Sequence, residues 1–152
     1  MTNSNGNPFH HNVLPFEEQC VSEHFAKAFE ILVQRGYTFK DVVEGFAAIP
    51  DREFLLEDGS VYCRSPWGIA EIMQEWLARQ GRGNDHIATP GEADAAFWAG
   101  YLLCQWYFAE NTRPSDALRI ASARRLQDVY GMLHTQSIRY AINVLKEEPG
   151  WD

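Results

Sequence analysis

Tyr130, His134 and Thr135 are the residues of this chain whose types come closest to a chemical site. A histidine that closes a helix sits at the negative end of the helix dipole, where imidazolium is favoured, and the adjacent hydroxyl offers it a hydrogen bond. That arrangement suits general acid-base chemistry, with Tyr130 or an arginine assisting, and makes His134 the candidate catalytic residue. A local hydrogen-bonding corner at the helix end is the plainer reading, because a lone histidine beside a threonine needs no substrate to explain it.

Other chemistries find less support in residue type and spacing. Cys20, Cys63 and Cys104 have no CxxC spacing and no glycine elbow, and no GxSxG or phosphate-cradling glycine loop occurs, so acyl and phosphoryl transfer are not indicated. No two of His10, His11, His24, His86 and His134 stand four residues apart, the spacing that puts two metal ligands on one helix face. No metal and no other cofactor is therefore expected. The carboxylate pairs Glu17/Glu18, Asp51/Glu53, Glu57/Asp58 and Glu71/Glu75 could serve as acid and base, but an acidic chain makes such pairs as solvated surface. Arg119, Arg124, Arg125 and Arg139 form the one basic cluster, and a helix broken near Ala121 would give it the turn of a DNA-reading motif. With few further cations around them, ion pairing or a partner contact explains these arginines better.

The formal net charge of -8 is concentrated at one end: residues 1–60 hold 10 acidic and 4 basic residues, whereas residues 101–152 hold 6 of each. Such a surface disfavours direct nucleic-acid binding and complements a basic protein. Unpaired, apolar-flanked cysteines point to a reducing, cytoplasmic setting. Residues 1–12 are polar, without the basic and apolar blocks of a signal peptide, and are expected to form a flexible tail ahead of a single domain at residues 13–152. The longest apolar run, Ala93 to Ala109, is interrupted by Asp94 and Gln105 and falls short of the ~20 residues a membrane crossing needs.

The elements that must position these residues are helical. Val21, Phe25, Phe29 and Leu32 repeat at helical spacing up to Gly36, and Thr38 with Asp41 opens a short second helix that ends before Pro50. Asp58-Gly59 between two apolar pieces marks a small β-hairpin at residues 53–63, with a loop as the alternative. Ser65-Pro66 starts a helix closed by Gly81, and Thr89 with Glu92 forms a capping box for the next. That helix, residues 91–110, is apolar on two faces, Phe97/Tyr101/Cys104/Phe108 and Trp98/Leu102/Trp106, so other helices must surround it. Gly100 within it implies close packing of a neighbour. Ser115 is the expected cap of a further helix, whose spacing breaks near Ala121, and Ile138 to Leu145 carries the last. The expected fold is an all-α bundle of five to six helices around a buried central one.

The run Phe97 to Ser115, followed by Tyr130, His134-Thr135 and Ala141 to Leu145, resembles small uncharacterised helical bacterial proteins. The corner from Tyr130 to Leu145 is also similar to short antitoxin-like proteins encoded beside ADP-ribosyltransferase-like toxins. The resemblance spans the last third of the chain and implies a cytoplasmic protein that neutralises a partner by binding it. Trp98, Trp106, Tyr130 and His134 are the candidate aromatic contacts, because exposed tryptophan and tyrosine make interface hot spots. Glu17, Glu18, Asp51, Glu57 and Asp58 are the candidate acidic contacts to a basic protein. The alternatives are a phage or mobile-element inhibitor whose carboxylates imitate nucleic-acid phosphates, and an enzyme built on His134. An uncovered aromatic face would also suit a second copy of the chain, giving a homo-oligomer.

Overall fold

Most helices of this chain begin where the sequence supplies an oxygen or a proline for the first turn. The computed structural model describes residues 15–49 and 65–147. Over these it contains α1 (Pro15–Gln34), α2 (Phe39–Ala48), α3 (Pro66–Arg79), α4 (Pro90–Glu110), α5 (Pro114–Ile120), α6 (Ala123–Leu133) and α7 (Ile138–Glu147). Thr38 accepts from the Asp41 N–H at 3.0 Å, Ser65 from Gly68 at 3.1 Å and Ser122 from Arg125 at 3.1 Å. Each bond satisfies a donor that the helix itself leaves open. The Thr89/Glu92 capping box is present, with both reciprocal bonds formed.

The described residues thus form an all-helical body of seven helices, against the five or six expected. The added element comes from the break at Ala121, whose extended backbone ends α5 before Ser122 caps α6. Ser115 is not the cap of α5: the helix opens two residues earlier than that cap would place it, with Pro114 in the first turn and Arg113 at the cap position. The expected hairpin at residues 53–63 and the expected tail at residues 1–12 lie outside the described residues. Among the described residues no helix is long and apolar enough to cross a membrane.

Helix α4 is the centre of the body and packs against α1, α2, α5, α6 and α7. Its closest neighbour is α1, and Gly100 makes that approach possible. A Cβ at Gly100 would stand 2.9 Å from Cγ of Phe29 and 3.0 Å from the backbone Cα of Ala26. One turn along, the Gln105 amide donates to the Ser22 hydroxyl at 2.8 Å, and that hydroxyl donates to the Glu18 carbonyl. The two helices are thereby held in register by a polar tie inside an apolar contact. Phe46 of α2 closes the other side, with ring centroids 5.4 Å from Phe25 and 5.2 Å from Phe29.

The connection from α3 to α4 is laid across the end of α1. Gly36 has φ +107°, and a Cβ there would meet the Asn84 carbonyl oxygen at 2.0 Å, so only glycine fits. The His86 N–H donates to the Gly36 carbonyl at 2.9 Å. Glu92, fixed by the capping box, also accepts from the His86 ring at 2.9 Å and from the Phe39 N–H at 3.4 Å. This single carboxylate joins the starts of α2 and α4 to the loop between α3 and α4.

The two glycines of α4 and α6 make a paired test. Gly100→Ala should destabilise the protein by about 1 to 3 kcal/mol, because the backbone of Ala26 cannot yield as a side chain can. Gly131→Ala, on an exposed face with nothing within 4 Å, should stabilise it by roughly 0.5 to 1 kcal/mol. Urea denaturation of the two variants and the parent reads both effects.

Candidate functional site

Helix α4 is covered on most sides but leaves one stripe open, Asp94, Phe97 and Tyr101, at the three- and four-residue spacing of a single helix face. The neighbouring positions Ala95, Ala96, Trp98, Ala99 and Leu102 are buried. Phe97 remains 37% exposed, a large ring that the fold has not covered. Over the first part of this stripe lies a hollow of about 440 Å³. Phe97, Trp98 and Tyr101 of α4 form its floor, Glu30 of α1 one wall, and Tyr130 and His134 at the end of α6 the other, with Asp94 at the N-terminal end of the stripe.

The rings are coupled. His134 closes α6, its N–H donating to the Tyr130 carbonyl at 3.0 Å, and its ring Nδ1 stands 2.8 Å from that same oxygen. A carbonyl only accepts, so Nδ1 carries the hydrogen and Nε2 is left as the acceptor of the neutral ring. The imidazole stacks on the Tyr130 ring with centroids 4.4 Å apart and planes 24° from parallel. Tyr130 in turn meets Trp98 edge to face at 5.9 Å. Trp98 is itself 7% exposed, and its indole N–H has no hydrogen-bond acceptor among the described residues.

The charges divide unevenly. Glu30 is held by Lys27 at 2.8 Å, whereas Asp94 has neither an ion pair nor a hydrogen bond among the described residues. Burial raises the pKa of the Tyr130 phenol, and the negative charge of Asp94 raises it further. The Tyr101 phenol is raised likewise by burial and then by Glu23. Both phenols are hydrogen-bond donors at neutral pH, not nucleophiles. A second hollow of about 720 Å³, lined by Gln34, Arg35 and the loop from Asn84 to Pro90, meets the first at Glu30 and Asp94. There Arg35 is engaged with Glu71 at 2.9 Å and Gln74 at 2.8 Å.

Of the residues proposed from the sequence, Trp98, Tyr130 and His134 are brought together here. Trp106 is not: it is fully buried in the core and offers no surface to a partner in this conformation. Glu17 and Glu18 sit in the first turn of α1. Asp51, Glu57 and Asp58 lie outside the described residues. Thr135 is exposed and does not cap the last helix; Ser137 does, accepting from the Tyr140 N–H at 3.1 Å. Glu30, Asp94, Phe97 and Tyr101 are cleft residues that sequence reasoning missed. The signal was present in part, since Asp94 interrupts the apolar run at helical spacing from Phe97 and Tyr101.

Several of the remaining candidates have structural roles, while Arg139 is exposed and Cys63 lies outside the described residues. Cys104 is buried and uncharged, its thiol pushed far above the usual range by desolvation. Arg119 pairs with Asp116 and Arg124 with Asp128, while Arg125 is 2% exposed and donates to the carbonyls of Ile120 at 3.4 Å and Leu145 at 3.3 Å. The arginine cluster is therefore dispersed rather than presented as one basic face. Among the described residues no three His, Cys, Asp or Glu side chains are grouped to hold a metal ion. No protein-family model, curated protein or solved structure matches this chain.

The electrostatic link between Asp94 and Tyr130 has a measurable consequence. Asp94→Asn removes the negative charge that disfavours the phenolate, so the Tyr130 pKa should fall while burial still holds it above that of free tyrosine. A titration of parent and variant followed by NMR of Cζ-labelled tyrosine checks the direction.

Proposed function

We propose that this chain is a protein-binding module, an antitoxin- or immunity-like protein that neutralises a basic partner by occupying it. The observation that carries this reading is the uncovered aromatic stripe of α4 under an acidic rim. Its rings are linked to Tyr130 and His134, and its one uncompensated charge is a carboxylate. Large rings left at the surface of a helix that is otherwise the core are interface material, and a nearby negative charge steers a basic partner to them.

A second reading has one observation in its favour. Tyr130 and His134 share a hollow with two carboxylates, which is the arrangement an enzyme using His134 would need. Binding is preferred because, among the described residues, no serine, threonine or cysteine lines the hollow. The nucleic-acid mimic is less favoured. Asp41, Glu44, Glu71, Glu75, Glu110, Asp116 and Asp128 are each paired with a lysine or arginine, which breaks up the run of free charges that imitates phosphates.

Co-expression of the full chain with the protein encoded beside it, followed by affinity capture, tests the reading. A stable complex that weakens as salt is raised from about 0.1 M to about 0.5 M is expected, since screening acts on the steering charges. His134→Phe, which keeps a ring on Tyr130 and removes the base, should leave neutralisation of that partner within about threefold of the parent. Loss of all activity with binding intact would instead favour the enzyme.

A further inference from the structure

The hollow between α1, α4 and α6 combines three features that together select one kind of ligand. Its lining is aromatic, from Phe97, Trp98, Tyr101 and Tyr130 beside the His134 ring, and aromatic faces carry negative potential that attracts cations. Its uncompensated formal charge is Asp94, because Lys27 already holds Glu30. Its volume is about 440 Å³, and it shares Glu30 and Asp94 with the adjoining hollow of about 720 Å³.

We propose that this hollow receives an arginine side chain of the protein partner, the guanidinium lying against the aromatic faces and pairing with the Asp94 carboxylate. The assignment rests on the protein-binding reading above for the source of the arginine. Arginine fits better than lysine for a physical reason. The guanidinium is planar and weakly hydrated, so it loses little on leaving water for a ring face, and its forked donors match a carboxylate bidentately. An ammonium is a compact, strongly hydrated charge that one carboxylate on an open rim does not desolvate well. The adjoining hollow supplies the room for the partner residues on either side of the arginine, and its polar loop from Asn84 to Thr89 offers backbone and side-chain groups to them. Among the described residues no arginine or lysine of the chain itself lines the first hollow.

The test uses the full chain with three small probes, the acetylated amides of arginine, lysine and citrulline, followed by chemical-shift changes in the NMR spectrum. The arginine probe should saturate in the millimolar range and shift the Trp98, Tyr130 and His134 signals. Citrulline has the same shape without the charge, and should bind about tenfold or more weakly, as should arginine to Asp94→Asn. Asp94 is exposed, so that variant should keep the parent circular dichroism; Tyr130→Leu, which removes a ring face, should weaken the arginine probe as well. Equal affinity for arginine and citrulline, or for arginine and lysine, overturns the assignment. So does arginine binding that is unchanged in both variants. The two readings fail separately: capture of the neighbouring protein that survives both substitutions removes the arginine site and leaves the module. Arginine binding without any captured protein keeps the site and removes the module.

Discussion

The near contact of α1 with α4 at Gly100 is the constraint on which the rest of this structure depends. Helix axes normally pack 8 to 10 Å apart, with the side chains at the crossing setting the distance. Here the crossing residues are Gly100 and Ala26, with Phe29 folded over the bare backbone. This close approach fixes which face of α4 is spent on α1, and the Ser22–Gln105 bond fixes the register along it. The opposite faces go to α2, α5, α6 and α7. What is left is the single stripe through Asp94, Phe97 and Tyr101, flanked by Glu30 from α1 and by Tyr130 and His134 from α6. The hollow is thus a by-product of how a helix apolar on all sides divides its circumference among unequal neighbours.

The acidic composition acts differently from what the count alone implies. Most described carboxylates are compensated within a few ångströms, several by a residue three or four positions away on the same helix, as Lys40–Glu44 and Arg79–Glu75 illustrate. Such exposed pairs contribute little to stability, typically under about 1 kcal/mol each. Their effect is to silence local fields, which makes the few carboxylates outside pairs the ones a partner would sense. Asp94 is one of these, and it stands at an aromatic hollow rather than on a plain surface.

Much of the architecture was legible because it is local. Thr38, Ser65 and Thr89 with Glu92 announce helix starts through bonds that span three residues, and each bond is formed. The buried α4 followed from its lack of a polar face, and the close neighbour at Gly100 from a glycine in a helix that could otherwise have used alanine. What was not legible depends on tertiary closure. Periodicity made Trp98 and Trp106 equivalent, yet one borders a hollow and the other is sealed beneath α4's neighbours. Arg125 reads as a surface cation beside Arg124, but it is drawn inside to serve the carbonyls of Ile120 and Leu145, a role set by where α5 and α7 end. Glu30 and Asp94 lie far apart in sequence, and only the α1–α4 packing brings them to one rim.

The open stripe is better explained by binding than by folding. Phe97 at 37% exposure gains only part of the stabilisation that full burial of a phenylalanine would give, about 1.5 to 3 kcal/mol. A shorter polar residue there would cost the core little. Asp94 stands beyond the first turn of α4, too far along to gain much from the helix dipole, and raises the energy of ionising Tyr130. Neither residue is one that stability alone selects, and each breaks the local rule its neighbours obey. Where patterning and electrostatics depart together at one cluster, the departure marks a candidate place for the sequence to answer to something outside the fold. In this chain both departures fall at the hollow where Trp98, Tyr130 and His134 meet, and the proposed cationic group would supply both the missing cover and the missing counter-charge.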